Sequence, residues 1–322
     1  MKRHSKHNAK NPATFGGSGF KKRRGDWNSD LGTLWKNWSV LSDSDRLTDV
    51  SLAWPEDVYQ DIQDPNAELL LERPNIKQLV EQCSNLIKTY EQCGVRVHLL
   101  KHPQFTPNWI FQRDTFNSTP MGIVLGRMAS EQRKAEIALQ AQTLTALQAP
   151  IVMSIHNDGI FEGADLLWLN KTTAFIGVGN RTNKEAVTQL QKLFPNVTFH
   201  EILLPPTVQH LLGIMNFIGI NKVGIWSSLF PSNSLKILKN LDIETIHLCD
   251  EDEIRSVRSL NWVCLDHNKI LMPDDAPNTK KILLKHDVKI VTAHISAYRQ
   301  CGGGLGCLTG ILARDSIQSL DE

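Results

Sequence analysis

No two cysteines stand at the spacing of a redox or zinc pair and no histidine completes one, so Cys83, Cys93, Cys249, Cys264, Cys301 and Cys307 read as free thiols in a reducing, cytoplasmic setting. No apolar run approaches the ~18 residues of a membrane-spanning helix. No GxGxxG follows the first strand-like segment, which weakens a doubly wound, dinucleotide-binding reading. Residues 1–25 contain no acid, against eight Lys or Arg; with a formal net charge of +1, the remainder of the chain is net acidic. That stretch also lacks an apolar core, so it does not read as a secretory signal but as a basic, solvated, disordered tail. A nucleic-acid or membrane partner is the weaker reading of it. These absences leave no metal or cofactor motif and leave oligomeric state open, a homodimer included.

The 322 residues, 41% hydrophobic and 21% charged, suffice to bury a sizeable core. Residues 77–93 carry Leu79, Val80, Cys83, Leu86, Ile87 and Tyr90 at helical spacing, and Gly94 stops the helix. Strand signals at 49–54 and 95–100 flank it. Residues 111–128 then read as a hairpin, 131–147 as a helix and 151–155 as a strand. The same order returns as hairpin 165–178, helix 184–193 and strand 197–204, then as hairpin 214–226, helix 234–241 and strand 245–249. A last round comprises hairpin 262–271, helix 278–285, strand 288–293 and a final strand after Cys307. Paired strands between helices, recurring every ~50 residues, mark an α/β repeat. Residues 26–322 are therefore read as one repeating domain.

Glycine concentrates at Gly302-Gly-Gly-Leu-Gly306, directly ahead of Cys307. Such a loop brings backbone close to something, and Cys307 is expected at a tight turn that opens the strand 308–313. A packed core cysteine is the alternative. Polar residues gather at the equivalent point of other units: Asn108 to Asp114, Glu162 to Asp165, and His210. Taken singly these fit a surface salt bridge, solvated acids in a turn and a structural histidine. Together they form a Cys, His, Glu and Asp set suited to nucleophilic attack on a cationic, planar carbon held by carboxylate, as in a guanidinium group.

Pro107-Asn108 with Phe111-Gln-Arg-Asp114, Glu162-Gly-Ala-Asp165, His210 and Gly302-Gly-Gly-Leu-Gly-Cys-Leu-Thr309 resemble, in order, the motifs of the guanidino-group-modifying enzymes of the pentein, or α/β-propeller, fold. That group includes arginine deiminases, dimethylarginine dimethylaminohydrolases and amidinotransferases. The resemblance implies five ββαβ units around a pseudo-fivefold axis and no cofactor. It implies Cys307 as nucleophile, His210 as acid and base, Glu162 as its partner, Asp114 as guanidinium holder, and Asn108 and Asp165 in the substrate site. Similarity to the dimethylarginine hydrolases implies that Arg127 and Arg181 hold a substrate carboxylate; ordinary surface arginines are the alternative. The expected activity is hydrolysis of arginine or an N-substituted arginine through a covalent thiouronium, giving a ureido product such as citrulline. Amidino transfer to an amine is the runner-up, and a non-catalytic binding protein the alternative of another class. Leu212 departs from the deiminases and amidinotransferases, which carry Asp there.

Overall fold

A computed structural model describes residues 11–55, 57–101 and 106–315. The last fifteen residues of the basic tail, 11–25, are almost wholly exposed, and the expected disorder of residues 1–10 lies outside the described residues. From Trp27 the chain engages the body: the Trp27 indole donates to Met121 O, and Val40 N donates to Thr119 O.

Five three-stranded sheets follow. β1 (Arg46–Ala53) and β2 (Arg96–Leu100) flank the helix Ile76–Gln92. β3 (Phe116–Thr119), β4 (Gly122–Leu125) and β5 (Ile151–Ser154) enclose the helix Glu136–Ala146. β6 (Leu166–Asn170), β7 (Thr173–Val178) and β8 (Thr198–Leu203) repeat the order, as do β9 (Met215–Gly219), β10 (Lys222–Trp226) and β11 (Glu244–Leu248). β12 (Val263–Asp266), β13 (Lys269–Pro273) and β14 (Lys289–Ala293) complete the series, and β15 (Gly310–Asp315) ends it. In each unit the hairpin is antiparallel and the strand after the helix pairs parallel, since only a crossover can return the chain in the same direction.

Local chemistry explains the element boundaries. Asn75 and Asn183 cap their helices, each side chain accepting from the amide three residues on, a contribution of ~1 kcal/mol apiece. Leu79, Cys83, Leu86 and Tyr90 form the buried stripe of the first long helix. The hairpins turn on Asn221 and Asn268, both at positive φ, where a short polar side chain is tolerated. Successive units are joined by a repeated device. Asn117 of β3 donates to Gly163 O and Leu166 O, and Asn216 of β9 donates to Leu260 O and Trp262 O, two units further on.

Two sequence expectations are corrected. The final strand does not extend the 262–293 unit: β15 pairs antiparallel with β1, so the first sheet takes one strand from each end of the chain. Cys307 does not open a strand either. It lies in a single helical turn, Leu305–Leu308, and β15 starts at Gly310. The repeat of hairpin, helix and strand, with five sheets, otherwise stands as expected.

Candidate active site

The loops that precede β3, β6, β9, β12 and β15 converge. His210 Nε2 donates to Glu162 Oε2 at 2.7 Å, and its Nδ1 lies 3.8 Å from Asp114 Oδ1. All three side chains are buried. Half-buried Cys307 shares a cavity wall with Asp114 on one side and with His210 on the other. The cleft has two chambers of about 240 and 230 Å3 that share Gln209, Arg258, Gly302, Gly303 and Cys307. Asn108, Phe111, Asp114, Arg133 and Arg181 line one; His210, Leu212, Trp226, Ile254 and Arg255 line the other.

Asp114 and Arg113 are sequence neighbours that face apart. Arg113 is buried and donates to Asp43 Oδ1 at 2.9 Å, so the expected surface pair is an interior one with a different partner. Asp114 Oδ2 accepts from Arg133 Nη1 at 2.6 Å, while Asp114 Oδ1, also buried, has no hydrogen-bond partner among the described residues. A buried carboxylate oxygen left unsatisfied is costly and calls for a donor. Arg133 is held in turn by both oxygens of Glu136 and by Asn108 O.

The sequence reading missed Arg133, Glu136 and Asn261. Arg133 and Glu136 hid inside a stretch read only as helix, although their separation of three residues is a usable ion-pair signal. Asn261 occupies the loop before β12, the same point of its unit as the residues singled out elsewhere. Its Oδ1 accepts from Cys307 N at 3.0 Å and its carbonyl accepts from Gly306 N at 2.9 Å. The glycine run permits this packing: a Cβ on Gly303 would lie 2.2 Å from Cε1 of Phe111.

Other expected site residues are placed differently. Asn108 lines the cleft but spends its amide on Glu68 O. Arg181 lines the same chamber and donates to Glu162 Oε1 at 3.2 Å. Asp165 does not line either chamber. Its oxygens accept from Leu211 N at 2.8 Å and Thr182 Oγ1 at 2.6 Å, which fixes the loop that carries His210. Arg127 is exposed, donates to Gly159 O and lines neither chamber. Neither Asp165 nor Arg127, both expected in the substrate site, is among the residues that line the two chambers.

The electrostatics follow from burial and neighbours. Burial alone would depress His210, but Asp114, Glu162 and Asp165 outweigh it and raise its pKa to about 9. Burial would raise Glu162, yet the hydrogen bond and charge of His210, with Arg133 and Arg181, bring it down to about 2. Cys307 is pushed up to about 11 by burial and by the negative charge of Asp114. Near neutrality the resting site therefore holds imidazolium, carboxylates and a neutral thiol. Asp114, Glu162 and His210 also offer ligand atoms within 4.8 Å of one another, a spacing open to a metal ion. Arg133, 2.6 Å from Asp114 and 3.9 Å from Glu162, already supplies positive charge there and opposes a dication.

Residues 78–216 match the family model described as arginine deiminase. A dimethylarginine dimethylaminohydrolase of Pseudomonas aeruginosa is 21% identical over 74% of this chain and 90% of its own length. The solved structure of the Pseudomonas aeruginosa dimethylarginine dimethylaminohydrolase complexed with citrulline aligns with a TM-score of 0.68 at 19% identity, covering 84% of this chain and all of the other. An amidinotransferase of saxitoxin biosynthesis from Microseira wollei aligns at 0.69 and 16% identity over 87% of this chain and 98% of its own. With five three-stranded sheets in the repeat already described, the chain has the pentein fold of these structures.

Proposed function

We propose that the protein is a cysteine-dependent amidinohydrolase of arginine or an N-substituted arginine. The observation that carries this reading is the unsatisfied Oδ1 of Asp114, buried in a cavity wall shared with Cys307 and 3.8 Å from His210. A guanidinium supplies what is missing there: an N–H donor for Oδ1 and a positive charge that offsets the carboxylate's push on the thiol. Substrate binding then lowers the cost of forming the thiolate beside it.

In this mechanism the Cys307 thiol loses its proton to solvent as the guanidinium binds, and the sulfur attacks the central guanidinium carbon, forming the S–C bond. His210, charged in the resting site, protonates the departing nitrogen as its C–N bond breaks. The product of this half is a thiouronium and a free amine. His210, now neutral, takes a proton from water, which attacks the same carbon; the sulfur leaves, and the product carries a ureido group. Glu162 keeps the imidazole oriented and favours its charged form, and Arg181 would meet a substrate carboxylate at the chamber's edge. General acid and base catalysis of this kind is worth ~10²–10⁴-fold.

Support from relatives is of the same kind. A protein similar in sequence carries the name dimethylarginine dimethylaminohydrolase, and the aligned Pseudomonas aeruginosa structure holds citrulline. Incubation with arginine, methylated arginines, agmatine and guanidino acids, read by mass spectrometry, tests the reading. We expect a ureido product that disappears in Cys307→Ala. Turnover that survives the substitution would sink it. The second chamber and the similarity to an amidinotransferase favour a second reading, transfer of the amidino carbon to an amine in place of water. Adding amine acceptors to the same assay separates the two.

A further inference from the structure

The two chambers differ sharply in charge. In the one containing Asp114, Arg133 is held by Asp114 and Glu136, and Arg181 by Glu162. The one containing Trp226 has no carboxylate among the residues that line it; it presents Arg255, the Glu162-bonded His210 and, at the boundary with the first chamber, Arg258. Arg255 lies over the Trp226 ring at 4.6 Å and is paired with Glu251, which also receives the Trp226 indole N–H. The Arg258 guanidinium has no hydrogen bond or ion pair among the described residues.

Arg258 is also placed with care. It ends the π-helical turn Glu253–Val257 at φ 60, a left-handed conformation that is unfavourable for a side chain of this kind. Its carbonyl accepts from Asn261 N, and Asn261 in turn holds the amides of Gly306 and Cys307. A free arginine is thereby tied to the nucleophile loop at the boundary between the chambers. Trp226, Ile254 and Leu212 supply an apolar wall behind it. An apolar stem ending in an anion fits these surroundings, whereas a bare ammonia or a dimethylamine uses none of them.

We propose that this second chamber receives the amine half of the reaction, an amine bearing a carboxylate or a like anion that pairs with Arg258. The inference rests on the reading of Cys307 as an amidine-transferring nucleophile and specifies its substrate class. The amine is the leaving group when an N-substituted arginine is cleaved, and the acceptor when the amidino carbon is transferred. In the first direction the S–C bond forms, the C–N bond to the amine breaks, His210 supplies the proton, and water later releases citrulline. In the second, ornithine leaves the donor arginine with a proton from His210 and the amidino group stays on the sulfur; the incoming amine attacks that carbon, its C–N bond forms as S–C breaks, and His210 accepts its proton.

The test compares Nω-(2-carboxyethyl)arginine with Nω-propylarginine, both yielding citrulline, and β-alanine with propylamine as acceptors from arginine. We expect the acid-bearing member to be preferred at least tenfold in kcat/KM in one direction, and the preference to fall at least tenfold in Arg258→Gln. Arg258→Lys, which keeps the charge, should regain part of it. An acid preference near one, or one that Arg258→Gln leaves intact while both rates fall together, overturns the inference and leaves the hydrolase reading standing if arginine itself is turned over. Absence of citrulline or transfer product from every substrate fails both.

Discussion

At Cys307 the residue's type was legible in the sequence and its resting state was not. The glycine loop pointed to a thiol near a ligand and said nothing of its protonation. In the fold, burial and Asp114 push the thiol up to about 11 while His210 lies at about 9, so the order of deprotonation is the reverse of what an activated pair needs. The consequence can be measured. An acid whose pKa lies near 11 gains thiolate about tenfold per pH unit below that value. Alkylation by neutral iodoacetamide should therefore be slow at pH 7 and climb steadily past pH 9. A cationic haloacetamidine, drawn to the free oxygen of Asp114, should react faster at pH 7, and Asp114→Asn should erase its advantage. A plateau in the iodoacetamide rate near pH 7 would show that the thiolate forms unaided. Cys301, at the start of the same loop, is buried, donates to Ala297 O and is pushed up to about 12 by burial, so it should lag in both series.

At the scale of elements, the order of strands and helices was legible because alternation, caps and asparagine turns are local signals, although bounds moved: the helix read over 131–147 is Glu136–Ala146. The helical turn around Cys307 was not legible, since Leu305–Leu308 is shaped by contacts from two other loops and not by its own propensity. Asn261 fastens it from the β12 side, and Phe111 presses on Gly303 from the β3 side. This predicts a cost for the smallest possible change. A methyl at Gly303 would lie 2.2 Å from the buried Phe111 ring, so Gly303→Ala must displace the loop that carries the nucleophile. Misplacement by ~1 Å costs about 10²-fold in rate. We expect Gly303→Ala to lose roughly that much turnover, with Phe111→Leu in the same chain restoring part of it by vacating space. An activity drop that Phe111→Leu only deepens would place the defect elsewhere.

For the whole molecule, what escaped the sequence was closure. The repeat was visible because each middle unit builds its sheet from contiguous chain, whereas β1 and β15 stand over 250 positions apart and carry no local mark of their pairing. β15 is also tied to other units: Ser118 of β3 donates to Ile311 O, and Arg314 donates to Asp45 O and to Cys264 O of β12. Leu312 within it is fully buried. A clasp that joins several sheets should control cooperative unfolding, whereas residues 11–25, nearly all exposed, should not. Leu312→Ala is expected to cost ~2–5 kcal/mol, as for other buried leucines, and removal of residues 310–322 to abolish a sharp melting transition. Deleting residues 1–25 should leave both the midpoint and turnover nearly unchanged, because among the described residues the first hydrogen bond to the body is made by Trp27. Scanning calorimetry on the three variants decides it: a sharp transition retained without β15, or a loss on tail deletion comparable to that of Leu312→Ala, would show that stability resides in the separate units and not in the closed ring.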